Sequence, residues 1–521
     1  MKNTWRPQWE VQDRQPTFLG RGDVFRPFNA TGKYLWGNVP AYDVLKLQAN
    51  EGSTYSKDLD LLFAASGDLR NVVATVASIP REYSRKVNIM LNDRDSDVVA
   101  RNTVMLLVML TQEDPMLAAE TVLHIWYSAF VTQSVIDVIN GKPRQFVQAV
   151  CTKIEGREPD VVLAETWTFG ERSLRLVLTK DQWISLLSHF DLPTGLTYEM
   201  AKQNRVGITL APERVDFRER GYFAQKPSSR IVNVRFREEG ILLPFGRRRD
   251  AFIHPNPTIF RTIDSWPLKD HADPLDGWPI YEPQNISGFV GANDVHGKLY
   301  IYLKKLLVKF HETLSAKKIT FKLFNSNIEE LMGHIWEYRF DRVEVSNISD
   351  LAYIGPTNTV SLFGSRLKEP HVNPHATLIT LFMNSVREMV AREAKRPETM
   401  IALIQALWEY MPQTFPLKGR YDATMIIRQS GDMLVTDVDK YFDRYVEMNR
   451  LNEPGILTLS YAPQGNFSLQ MKDPHTIVEK WPTRLKKQPE AEGAREEFKT
   501  LLASSFSGCE RYVEWKLNPD H

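Results

Sequence analysis

Four short polar clusters each stand directly after an apolar run, and their residue types suit shared chemistry. They are Ser66-Gly67-Asp68, Asn92-Asp93 with Asp95 just beyond, Asn325, and Ser346-Asn347 with Asp350. If the apolar runs are neighbouring parallel strands, these groups meet in one crevice outside the strands' carboxyl ends. A carboxylate at the second strand end, here Asp93, is the usual reader of a ribose hydroxyl pair. Gly67 lets a ligand approach the backbone closely. On this reading Ser66, Asp68 and Asp93 are the catalytic candidates. Gly67, Arg70, Asn92, Asp95, Asn325, Ser346, Asn347 and Asp350 are the substrate-binding candidates. The competing reading is local, because Asp, Asn and Ser cap helices and form turns without any ligand. The order of types along the chain favours the crevice.

A second group of residues is basic. Arg247-Arg248-Arg249 lies among Phe245, Phe252 and Ile253, and arginines beside aromatics hold phosphates and stack bases. Lys304, Lys305 and Lys309 fall on a predicted helix, either as a solvated face or as a track for a nucleic-acid backbone. Other signals are negative. Ala65-Ser66-Gly67-Asp68 has one Gly where dinucleotide-binding turns carry two or three. No Gly-x-Ser-x-Gly elbow and no phosphate loop occurs. His371 and His375 have a metal-like spacing, but Pro374 keeps them off one helix face, so no metal is expected.

The elements that must position these groups read as alternating strand and helix. The run 59–65 suits a strand buried on both faces, followed by a helix to about Ile79. A second unit has a strand over 86–91 and a helix over 97–111, with a long helix expected over 116–140. Residues 150–295 mix helices with Pro- and Trp-rich extended stretches. Alternation resumes with a helix over 299–315, strands over 319–324 and 340–345, and a helix over 375–394. An amphipathic helix over 399–410, a polar helical stretch near 435–450 and a strand-like 511–516 close the chain. Two adjacent strand–turn–helix units argue for a parallel, Rossmann-like α/β sheet. The expected organisation is an N-terminal arm (1–35), the first part of the core (36–149), an insertion (150–297), the second part of the core (298–396) and a mostly helical C-terminal region (397–521).

Bulk composition narrows the class. The chain has 521 residues, 43% of them hydrophobic, and a formal net charge of +1, so no global field advertises a nucleic-acid partner. Two cysteines, Cys151 and Cys509, exclude a disulfide scaffold and an all-Cys zinc finger. The first residues have no apolar signal region, and the longest apolar run is too short to span a bilayer. A cytoplasmic protein is expected.

Several phrases together carry a family resemblance. They include YLWGNVPAYDVL (34–45), DLLFAASGDLRNVVATVASIP (60–80), VNIMLNDRDSDVVARNTVMLL (87–107), FREEGILLPFG (236–246), NPTIF (256–260), DHADPLDGWP (270–279), FDRVEVSNISDLAYIGP (340–356) and NPHATLITLFMNSV (373–386). Across roughly 30–395 the chain resembles a fungal family of uncharacterised proteins. The family's N-terminal domain is similar to that of axonemal dynein assembly factors, which implies a methyltransferase-type core. Members often carry an added MYND zinc finger, for which this chain lacks the cysteines. The family includes the arginine-containing cyclodipeptide synthases. Membership there implies condensation of arginine, from arginyl-tRNA, with a second amino acid into a diketopiperazine of fungal secondary metabolism. It implies aminoacyl-tRNA as co-substrate and no resident cofactor. Asp68, Asp93, Asp95 and Asp350 would be candidates for the guanidinium, and Arg247, Arg248, Arg249, Lys304 and Lys305 for the tRNA. Ser66 would be the first candidate for a covalent aminoacyl-enzyme. Two alternatives stay open: an S-adenosylmethionine-dependent methyltransferase, and a non-catalytic assembly or binding factor on the same scaffold.

Overall fold

The computed structural model describes residues 4–19, 32–288, 290–393, 397–412, 417–453 and 468–518. Among the described residues nine strands form one sheet: β1 (Leu59–Phe63), β2 (Val87–Asn92), β3 (Val162–Phe169), β4 (Arg172–Thr179), β5 (Ile319–Phe324), β6 (Arg342–Glu344), β7 (Thr377–Phe382), β8 (Ser468–Met471) and β9 (Arg511–Asn518). Their spatial order is β8-β9-β7-β6-β1-β2-β5-β4-β3. The six strands from β7 to β4 run parallel, while β3, β9 and β8 each pair antiparallel with a neighbour. Leaving out the β3–β4 hairpin and renumbering the other seven along the chain, the order is 3-2-1-4-5-7-6, with the seventh antiparallel. This is the doubly wound order with one strand slotted in backwards, the methyltransferase-type variant.

Each parallel strand is an apolar run because helices cover both faces of the sheet. On one face Leu61, Phe63, Ile89 and Leu91 join Val72 and Val76 of α1 (Arg70–Ala77). Residues of α2 (Ser96–Thr111), α3 (Pro115–Tyr127) and α4 (Val295–Ala316) complete that cluster. On the other face Leu62, Met90, Val343 and Leu378 join Leu331, Val360, Val386 and Phe442. The period-2 alternation of β1, with Leu61 and Phe63 one way and Leu62 the other, divides the two cores. Local signals set the helix starts. Asp95 caps α2 by accepting the Asp97 N–H, and Asp114 caps α3, where Pro115 opens the helix.

Several expectations are corrected. The helix expected over 375–394 is the strand β7 followed by a helix, Ser385–Arg392. All six residues of β7 are buried, so periodicity carries no signal, and Thr377, Ile379 and Thr380 are β-branched. The helix expected over 116–140 breaks after Tyr127, and a second helix covers Gln133–Asn140. There the Asn256 amide donates to the Ser128 carbonyl at 2.9 Å and the Ala129 N–H donates to the Gly240 carbonyl at 2.7 Å, so tertiary bonds take over from the helix. The β3–β4 hairpin of the insertion extends the sheet beside β5. The C-terminal region supplies β8 and β9, the second of them over the strand-like 511–516. Within the N-terminal arm, residues 4–19 are packed rather than loose. Trp9 and Phe18 are buried against Leu407, Tyr410 and Phe498, and Arg14 pairs with the buried Asp216 at 2.6 Å. Residues 20–31 of the arm lie outside the described residues.

Candidate functional site

The sheet order sets the tips of β6, β1, β2 and β5 side by side, all facing the same way. Hydrogen bonds knit the three on one side together. Gly67 follows β1 with φ +54°, and a Cβ there would meet open space. Its N–H donates to Asp93 Oδ2 at 2.9 Å, and its carbonyl accepts from Asn102 of α2 at 2.7 Å. The Ser66 N–H donates to the Asn92 carbonyl at 2.8 Å. The Asn325 amide donates to the Asp93 carbonyl at 2.9 Å. Asn92 is buried and its amide bridges the Ala64 and Ser326 carbonyls at 3.0 and 3.1 Å. It therefore splices the strand ends. Asp93 is half-buried, and burial pushes its carboxyl up against the lowering effect of the Asp95 and Gly67 N–H groups. Its Oδ1 accepts the Asp95 N–H at 2.9 Å.

Beyond Asp93, two carboxylates hold a cation from the chain itself. Lys33 Nζ sits 3.2 Å from Asp95 Oδ1 and also bonds Asp97. Asp97 is further bonded to Nε2 of the fully buried His189 at 3.1 Å. Burial works to raise the Asp97 carboxyl, but the His189 and Lys33 bonds win and hold it well below the usual carboxylate range. Lys33 begins a strap that runs along these strand tips. The Trp36 indole donates to the Trp126 carbonyl at 2.6 Å, the Gly37 N–H to Asp68 Oδ2 at 2.7 Å, and the Val44 N–H to Thr75 Oγ1 at 3.0 Å.

The strap also helps to consume the Asp68 carboxylate. That carboxylate is buried and engaged by the Gly37 N–H, by the Trp126 indole at 3.2 Å and by Arg70 at 2.7 Å. Arg70 is buried too, so close under Gly37 that a Cβ there would lie 2.0 Å from Nη1. On the β6 side, Ser346 adopts φ +51° and its N–H donates to Glu344 Oε1 at 2.9 Å. The Asp350 N–H donates to the Asn347 carbonyl at 3.1 Å. The Asp350 carboxylate is fully buried and accepts the Met383 N–H at 3.2 Å and the Asn384 amide at 3.1 Å, which ties it to the β7 tip. Burial, opposed by those bonds, leaves Asp350 pushed up to about 6.

The basic candidates separate into two kinds. Arg247, Arg248 and Lys305 are exposed. Arg249 turns inward to Glu239 at 2.6 Å, and Lys304 pairs with Glu120 at 2.5 Å, where Tyr300 also donates. The exposed patch is thus smaller than the sequence suggests.

Sequence reasoning passed over Glu344 and Lys33. A signal for Glu344 existed: a carboxylate inside a strand buried on both faces needs a reason to be there. Lys33 had none, since its partners lie more than sixty residues away. Among the described residues no group of three or more His, Cys, Asp or Glu is placed to hold a metal ion, and no helix is long and apolar enough to cross a membrane. No curated protein and no solved structure matches the chain. Residues 35–131, which run from the strap through β1, β2 and α3, match the family model described as a domain of unknown function, DUF4470.

Proposed function

We propose that the protein is an aminoacyl-transferring enzyme that joins arginine, from arginyl-tRNA, to a second amino acid and releases a cyclo-Arg-Xaa diketopiperazine. The observation that carries this reading is one row of strand tips. In it a half-buried carboxylate suited to a ribose (Asp93), an open backbone turn (Gly67) and an acid pair that holds Lys33 (Asp95, Asp97) adjoin. The 3′ end of an aminoacyl-tRNA is an adenosine whose ribose carries an amino acid as an ester. That ester is already activated, so the protein need only position the amine and stabilise the oxyanion. A guanidinium suits a pair of carboxylates. Lys33 marks where such a cation sits. Arg247, Arg248 and Lys305 are the exposed cations available to a tRNA backbone. Ser66 is half-buried beside Gly67 and offers a hydroxyl for a covalent step.

The sheet order and Asp93 also favour a second reading, an S-adenosylmethionine-dependent methyltransferase, because that cofactor too is an adenosine bearing an amino acid. One experiment separates them. The protein, incubated with tRNA, synthetases, ATP, arginine and each second amino acid, is expected to yield a cyclic dipeptide that ribonuclease abolishes. No product across all twenty partners, together with calorimetric binding of S-adenosylmethionine, would move the assignment to the methyltransferase.

Two binding predictions arise from the same geometry. Asp93→Asn removes the charge and one of the two acceptors of backbone N–H groups, and is expected to weaken arginyl-tRNA binding by roughly tenfold or more in a filter assay. An unchanged affinity at an unchanged melting temperature would mean that Asp93 only holds its turn. A substrate cation must displace Lys33, so Lys33→Met is expected to tighten binding of arginine methyl ester by roughly threefold or more in calorimetry. Equal or weaker binding would show that the acid pair is not the cation pocket.

A further inference from the structure

On the far side of Gly67 from Asp93, four polar side chains are shut in between the sheet and the strap. They are Glu344 at the tip of β6, Tyr512 on β9, Tyr42 on the strap and Arg70 at the start of α1. Phe63 and Glu344 are register partners, so Glu344 points to the same face as α1 and the strap. The Tyr42 and Tyr512 rings meet edge to face at 5.3 Å. Glu344 lies within electrostatic reach of both hydroxyls and of Arg70. Two features of this cluster call for an occupant. The Tyr42 hydroxyl and Arg70 Nε are buried without a hydrogen-bond partner. Among the described residues the Glu344 carboxylate accepts one bond, from the Ser346 N–H, and no cation bonds it directly. Buried polar atoms are ordinarily satisfied, so an unsatisfied pair beside the strand tips asks for an explanation.

We infer that Glu344 is the proton acceptor of the condensation, with Tyr42 Oη and Arg70 Nε as the donors that meet the oxyanion. The assignment rests on the proposed aminoacyl transfer. Neighbouring strands stand about 4.8 Å apart, so the β6 and β2 tips are about 10 Å from each other across β1. A hydrogen bond to the ribose, the ribose itself and the α-amine of its ester bridge that span. In the step, the neutral α-amine of one aminoacyl group attacks the ester carbonyl carbon of the other. The C–N bond forms, and the C–O bond to the ribose breaks. The N–H proton moves to the Glu344 carboxylate and then to the departing ribose oxygen, which leaves as a hydroxyl and returns Glu344 to its ionised form. The second amide closes the ring by the same exchange. Burial, opposed by the Ser346 N–H and Arg70, pushes Glu344 up to about 7, where an acceptor works well at neutral pH. The titratable and charged groups around it are Arg70 with its partner Asp68, Tyr42 and Tyr512, and Glu514 stands beyond Tyr42.

The test uses the full chain with purified arginyl-tRNA and a second aminoacyl-tRNA, and reads cyclic dipeptide by mass spectrometry from pH 5.5 to 8.5. The wild-type rate is expected to fall on the acid side around pH 7. Glu344→Gln is expected to lose roughly 100-fold or more in rate, to lack that limb, and to bind arginyl-tRNA as the wild type does. Tyr42→Phe is expected to lose roughly tenfold with the limb intact. A Glu344→Gln rate within fivefold of wild type, or an acid limb that persists in it, overturns the assignment while the aminoacyl-transfer reading stands. A wild-type protein that makes no cyclic dipeptide removes the reading and this role with it.

Discussion

Replacing Arg342 by Met is expected to destabilise the protein by about 3–5 kcal/mol, seen as a lower urea midpoint. Arg342 stands at the start of β6, the end of the sheet opposite the crevice. Its Nη1 and Nη2 grip the two oxygens of Glu51 at 2.8 and 2.9 Å, and both side chains are fully buried. The remaining donor capacity goes to the carbonyls of Val44, Leu45, Asp341 and His375, at 3.1, 3.1, 2.9 and 2.8 Å. Taking both charges out of water costs nearly what their attraction returns, so the intact pair adds little net stability. The large cost appears when one partner is removed and the other stays buried. In Arg342→Met the Glu51 carboxylate keeps, among the described residues, one hydrogen bond, from the Asn373 amide at 3.0 Å. The double variant Arg342→Met/Glu51→Leu is therefore expected to recover at least half of the loss. A double variant as unstable as the sum of the singles would refute the buried-pair account.

The strand tips that form the crevice are legible because each follows a run of buried residues and ends on a polar turn. Ser66-Gly67, Asn92-Asp93, Asn325 and Ser346 are all local punctuation of that kind. The parallel arrangement follows from two consecutive strand–turn–helix units. The order of strands does not, since β5 pairs with both β2 and β4 over long separations in the chain. β7 reads as helix because a strand buried on both faces has no period to detect. The β3–β4 hairpin escapes notice although Leu174, Leu176 and Leu178 alternate inward. Which strand-end acids are free is also beyond the sequence. Asp68 looks like Asp93 in its local context, yet a glycine N–H thirty-one residues before it and an indole fifty-eight residues after it consume its carboxylate. The strap that does this reads as the edge of a loose arm, because its bonds are made almost wholly by backbone groups and distant side chains.

Glu344 alone is expected to cost the folded protein about 3 kcal/mol above pH 7, and Glu344→Gln is expected to recover most of it. The sign follows from its protons. Burial raises the carboxyl from 4.5 to about 7, so the folded state binds the proton more tightly than the unfolded chain does. Below about pH 4.5 both states are protonated and Glu344 makes no difference. Between there and pH 7 the unfolded chain releases its proton while the folded protein keeps it, and stability falls with rising pH. Above pH 7 the penalty is complete, at about 1.4 kcal/mol for each factor of ten by which the folded state holds the proton more tightly. Other buried acids tilt the curve as well: Asp276, pushed up to about 8 by burial and the neighbouring Asp273, acts in the same direction. The quantity to measure is therefore the difference between wild type and Glu344→Gln in urea midpoints at pH 5 and pH 8. Gln retains an oxygen for the Ser346 N–H, so the two proteins should differ by less than about 1 kcal/mol at pH 5 and the variant should be clearly more stable at pH 8. Fold maintenance gives no reason to keep a carboxylate at such a cost, whereas a working proton acceptor does. A variant that is less stable than the wild type at pH 8 would mean that Glu344 is held as a paired anion, and its place in the mechanism would fall with that result.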